Sequence, residues 1–137
     1  MKSRDSLVRL RRFQVEEKRR RVAQIELMIG EFDRISADLE REIAVEEQRS
    51  GISDPSHFAY PTYAKASRQR RDNLRRSADE LKLQLEDAKA ELGEAFEDLR
   101  KAEVLEDRER SSERGFTARD AAMMSEAAVG RAARTGP

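Results

Sequence analysis

The sequence predicts an all-α protein, an antiparallel two-helix coiled-coil hairpin with a short, partly disordered C-terminal tail. Three observations predict it. Two long stretches carry apolar residues at alternating steps of three and four, the period of a coiled-coil seam. Between them, residues 51–63 (GISDPSHFAYPTY) hold two of the three prolines, the only histidine and three of the seven aromatics. Formal charge alternates in blocks that come into opposite-sign register only when the chain folds back.

Composition sets the outer bounds. A chain of 137 residues suits one domain. With 41% charged and 5% aromatic residues, it lacks the apolar volume of an ordinary globular core but suits long helices that bury a narrow stripe. Lys plus Arg and Asp plus Glu are 28 each, for zero net charge. The absence of cysteine excludes a disulfide framework and thiol chemistry. No apolar run is long enough to span a membrane. The start, MKSRDSLVRLRRF, lacks the apolar block of a secretory signal. Its arginine-rich amphipathic look is that of a transit peptide, against which stand Asp5, Glu16 and Glu17.

The hairpin is expected to occupy residues 1–110. Arm one is expected over 4–50. Val22, Ile25, Ile29, Phe32, Ser36, Leu39 and Ile43 form its seam, polar only at Ser36, and Val8 and Val15 extend it backwards in phase. Met28 and Ile35 widen the stripe to one side. The loop is expected over 51–60. Gly51 can take the left-handed conformation that ends a helix, Asp54-Pro55 starts a turn, and Pro61 forces Tyr60 out of helical geometry. Arm two is expected over 61–110, with the seam Ala64, Ser67, Arg71, Leu74, Ala78, Leu81, Leu85, Ala88, Leu92, Ala95, Leu99 and Ala102. Its alternating alanines permit close approach, and Arg71 is the one charged intruder. At ~1.5 Å rise per residue each arm spans roughly 70–75 Å. Gly115 breaks the tail, 111–137, in which a short helix over 117–129 precedes a disordered end.

Charge supports the same pairing. Residues 1–21 carry +6, 22–50 carry −5, 51–76 carry +4, 77–107 carry −7 and 108–137 carry +2. Folding about residue 56, so that partners sum to about 112, lays the basic start along the acidic end of arm two. It also sets the acidic end of arm one beside the basic start of arm two. A parallel dimer would oppose +6 to +6. Exposed pairs stabilise by only a few tenths of a kcal/mol, so the pattern selects direction and register.

Nothing in the sequence composes a catalytic site. His57 stands alone, without companions for a metal set; there is no glycine-rich phosphate loop; and the carboxylates lie on helix faces with basic neighbours. No cofactor, small-molecule substrate or enzymatic activity is expected. The basic clusters RLRR (9–12), KRRR (18–21) and RQRRDNLRR (68–76) raise nucleic-acid binding. Zero net charge and the lack of interleaved aromatics favour instead a solvated face paired with the acidic blocks. Membrane-surface docking by residues 4–21 ranks lower still.

Some apolar residues miss the seams. Leu10, Phe13, Leu27, Leu83 and Phe96 point outward in this register. Leu10 and Phe13, with Phe96 close by, make a partner-binding patch near the termini, or a local drift in phase tucks Leu10 and Phe13 inward. Tyr60 and Tyr63, where arm two begins, either anchor a partner or pack the loop. Gly30 and Gly93 lie on outer helix faces.

Three segments, KSRDSLVRLRRFQVEEKRRRVAQIE, HFAYPTYAKASRQRRDNLRRSADEL and QLEDAKAELGEAFEDLRKAE, resemble the FliJ family of flagellar export proteins, its alphaproteobacterial branch most closely. The likeness covers most of the chain up to Glu106. It implies a cytoplasmic coiled coil, peripheral at the inner-membrane base of the flagellum, in the type III export apparatus that serves motility. It implies a non-enzymatic coupling and chaperone-escort role between the export ATPase ring and the cytoplasmic domain of the export gate, with export chaperones as further partners and the membrane reached only indirectly. By that analogy the end holding both termini enters the ring, through Leu7, Leu10, Phe13, Phe96 and the acidic end of arm two. An aromatic early in the second helix meets the gate, which points to Tyr63 with Tyr60 beside it. One turn on, Ser67 stands where the family tends to have an apolar residue. The alternative is a generic coiled-coil scaffold or a nucleic-acid-associated helical hairpin.

Overall fold

The structure, a computed structural model, describes residues 3–134. Two helices make up nearly all of it: α1, Ser3–Ser50, and α2, Thr62–Arg134. They form an all-α antiparallel hairpin. Two packing units divide it. One holds residues 15–94, with the loop; the other packs residues up to Gln14 against those from Ala95 onward.

In both units the burial follows the predicted seams. Val15, Ile25, Leu39 and Ile43 of α1 are buried with Ala64, Ala78, Leu81 and Ala88 of α2 in the first unit. Val8 is buried with Ala95 and Ala102 in the second. The polar seam positions Ser36, Ser67 and Arg71 are buried too, and the remaining ones, Val22, Ile29, Phe32, Leu74, Leu85, Leu92 and Leu99, are half-buried. The core of the first unit centres on Ile25, Leu81 and Ala88, flanked by Val22, Ile29, Phe32 and Leu85. Small alanines vanish into the seam while the leucines between them spread over its flanks. That is the expected result of close approach where one side chain in two has a single carbon. Ile35 is half-buried, but Met28 is exposed, so the expected widening of the stripe stops short of it.

The ion pairs report the register. In the first unit Lys18 pairs with Glu91 at 3.2 Å, Arg68 with Glu47 at 3.9 Å and Arg75 with Glu40 at 3.2 Å, and Arg71 also pairs with Glu40. In the second, Arg11 pairs with Asp98 at 3.8 Å, Arg12 with Glu103 at 3.6 Å and Arg110 with Asp5 at 3.9 Å. In both units the paired residue numbers sum to between 109 and 115, around the value that block charge predicts.

The loop begins where Gly51, at φ +73°, leaves the helix while its N–H still donates to the Glu47 carbonyl at 2.9 Å. Only glycine takes that conformation without steric cost. Ser50 Oγ then accepts the Ile52 N–H at 3.1 Å. Two turns follow, closed by His57 N–H to the Asp54 carbonyl and Tyr60 N–H to the His57 carbonyl, both at 3.0 Å. The Pro61 carbonyl accepts the Lys65 N–H at 3.0 Å, so the proline caps α2 and does not sit in its first turn.

The far boundary corrects an expectation. α2 does not end near residue 110. It runs through Gly115 to Arg134, so the helix expected over 117–129 is part of α2. An isolated glycine costs a helix only about 1 kcal/mol, and no proline stands near Gly115 to stop α2 there. Residues 135–137, the last of the expected disordered end, lie outside the described residues.

Candidate partner-binding surfaces

The end that carries the termini is built by the unit of residues up to Gln14 and from Ala95. Val8 and Ala102 fix the phase of the two helices there, and everything out of phase with them faces water. Phe13 is 57% exposed, and Leu10 is exposed beside it one turn earlier. The local phase drift that would tuck both inward is not what forms. Phe96 is exposed as well. Leu7, next to the seam residue Val8, is half-buried. Two further apolar side chains, Val104 and Leu105, are exposed on α2. There they line a shallow depression of about 540 Å³ with Glu97, Arg100, Lys101 and Arg108. Sequence reasoning passed over them, although Val104, two residues past the seam residue Ala102, already falls on the back of the helix, with Leu105 at the flank of the seam.

A polar groove lies in the same unit. Asp5, Arg9, Arg12, Glu103, Glu106, Asp107 and Arg110 line it around Val8. Arg110 pairs with both Asp5 and Glu106. A hydrogen bond shared with Asp5, and then burial, push the Glu106 carboxyl above its ordinary range despite that arginine.

The loop end separates the two tyrosines. Tyr60 is 8% exposed, and its hydroxyl donates to Glu47 Oε2 at 2.7 Å. Burial first, and then that hydrogen bond, push its phenol pKa up. This corrects its placing as a partner-binding residue: Tyr60 packs the loop. Its hydroxyl reaches back across the hairpin to Glu47 of α1. Tyr63, in the first turn of α2, is 55% exposed and donates to Glu42 Oε2 at 2.9 Å. That bond is the main cause of its raised pKa. With Val45, Arg41, Glu42 and Glu46 it lines a cleft of about 380 Å³.

The basic clusters are largely engaged. Arg11, Arg12 and Lys18 reach acidic residues of α2, and Arg68, Arg71 and Arg75 reach those of α1. Among the described residues no three His, Asp or Glu side chains gather as metal ligands. Nor is any helix among them long and apolar enough to cross a membrane.

The fold class is thus a coiled-coil hairpin with exposed apolar residues at its termini end and a tyrosine-lined cleft at its loop end. No known protein family, curated protein or solved structure matches the chain.

Proposed function

We propose that this chain is a non-enzymatic coupling and chaperone-escort component of a flagellar type III export apparatus, linking the export ATPase ring to the export gate. It would work in the cytoplasm, at the inner-membrane base of the flagellum. The reading rests on the resemblance of its arms and loop to the FliJ family. One structural observation carries it further. At the termini end, exposed apolar side chains stand on both helices, Leu10 and Phe13 on the back of α1, and Val104 on the back of α2 with Leu105 at its flank. A partner with a flat surface touches the back of one helix only. A partner that encircles the end reaches both, as a ring does. For the gate the reading retains Tyr63 and gives up Tyr60, which the loop buries.

Binding measurements with two purified partners test it. The Phe13→Ser/Leu105→Ser double variant should bind a hexameric export ATPase about tenfold more weakly, the scale of lost interface anchors. Leu27→Ser and Leu83→Ser, on exposed sites in the other unit, should bind normally. Tyr63→Ala should weaken binding to the gate's cytoplasmic domain with helicity unchanged. Absence of binding to either partner, or equal losses in all variants, refutes the assignment.

A further inference from the structure

The most exposed large apolar side chain among the described residues belongs to neither surface assigned above. Phe58, at the loop tip, is 96% exposed, yet its base is rigid. Asp54 Oδ1 accepts the Ser56 N–H at 3.0 Å and its hydroxyl at 2.8 Å. His57 Nδ1 accepts the Ala59 N–H at 3.0 Å. The His57 and Phe58 rings stack with centroids 4.7 Å apart. A ring held this way loses little freedom on docking, which lowers the entropic cost of binding. The polar flanks are defined too. Because His57 Nδ1 accepts, the neutral ring carries its hydrogen on Nε2 and offers a donor there. Asp54 contributes a carboxylate whose Oδ2 takes no hydrogen bond among the described residues.

The same unit holds a surface of matching chemistry. The cleft beside α2's first turn has Val45 and Tyr63 as its apolar lining and Arg41, Glu42 and Glu46 as its charged rim. Arg41, which also pairs with Asp38, complements Asp54, and Glu46, which also pairs with Arg49, or Glu42, which also accepts from the Tyr63 hydroxyl, complements the His57 donor. We propose that the occupant of this cleft is a second copy of this chain, two loop ends docking so that each Phe58 enters the other's cleft. Knob and cleft lie in one unit, so a two-fold contact closes on itself. One ring and its rim bury far less than the ~1,200 Å² of a stable interface, so the dimer is weak and forms at high protein concentration. It covers Tyr63 and competes with any partner that uses that ring.

The test is sedimentation velocity of the full chain from low micromolar to near-millimolar concentration, with circular dichroism as the check on folding. The wild type should shift toward dimer as concentration rises. Phe58→Ala and Val45→Asp should each weaken association by about tenfold, the scale of a lost anchor. Arg41→Asp, which leaves the turn beneath Phe58 intact and sets like charge against Asp54, should weaken it as well. A chain monomeric throughout overturns the proposal and leaves the cleft to a different protein. Dimerisation that Phe58→Ala does not change overturns it equally, placing self-association elsewhere.

Discussion

Arg71 offers a measurement of what a charge inside a coiled-coil seam is for. It is 7% exposed at a position where the heptad calls for an apolar side chain. Its Nη1 donates to Glu40 Oε1, and its Nε and Nη2 to Asp72 Oδ1 at 3.1 and 3.0 Å. Burial alone would make the guanidinium easier to deprotonate, but these hydrogen bonds outweigh it and hold it protonated. The side chains of Glu40 and Asp72 are 43% and 54% exposed, so only one side of each pair is desolvated. In Arg71→Leu the new side chain gains roughly 1.5–3 kcal/mol from apolar burial. The lost charge-assisted bonds are discounted to about 1–1.5 kcal/mol because both carboxylates recover water. The balance predicts a variant equal to the wild type or about 1–2 kcal/mol more stable, in line with other ion pairs replaced by packed apolar residues. Glu40→Ala, in contrast, strips a buried cation of one partner and should cost about 1–2 kcal/mol. That lies below the 3–5 kcal/mol of a fully buried pair because Asp72 remains. Urea unfolding followed by far-ultraviolet circular dichroism reads both, provided the slope against denaturant is unchanged. A loss above about 1 kcal/mol in Arg71→Leu refutes the reasoning: the charge would then hold the arms together, and not merely align them.

The glycines should respond in opposite directions. Gly51→Ala, at φ +73°, should cost about 1 kcal/mol. Gly30→Ala and Gly93→Ala, with open space where a Cβ would sit, should each stabilise by about 0.5–1 kcal/mol in the same urea assay. Tyr60 supplies a pH dependence. Its folded pKa is raised, by burial and then by Glu47, so its contribution is complete below the unfolded value of about 10 and is lost as pH rises through the higher folded value. Tyr60→Phe should lower stability by about 1 kcal/mol at neutral pH and flatten the alkaline decline, as urea midpoints across that range will show.

How much was legible depended on whether a residue's fate is local. The seam positions were readable because a 3.5-residue repeat is a property of the chain alone, and each of those positions is buried or half-buried. Leu10 and Phe13 are out of phase with Val8 and Val15, and they stay outside. Gly51 and Gly115 look alike in sequence but behave differently. The first stands where the seam stops and prolines follow, so there is nothing to continue for. The second has no proline near it, and α2 continues through it. Among the candidate surfaces, Tyr60 and Tyr63 could not be told apart, and Phe58, Val45 and Glu42 had no signal that marked them.

The sequence by itself determined the helix type, the two seams, the site of reversal and the direction of pairing. Each follows from backbone propensity, a repeat period or the sign of a charge block, all of which act over a few residues or over whole blocks. Only the tertiary structure decided which loop side chains are buried and which stand clear. Tyr60 turns inward because Glu47, thirteen residues earlier, closes on its hydroxyl. Phe58 stands out because bonds among Asp54, Ser56, His57 and Ala59 fix the turn beneath it. The Tyr60 contact depends on three-dimensional closure of the hairpin, which no periodicity in the chain encodes; the turn beneath Phe58 is held by bonds between residues two apart, which leave no repeat to read.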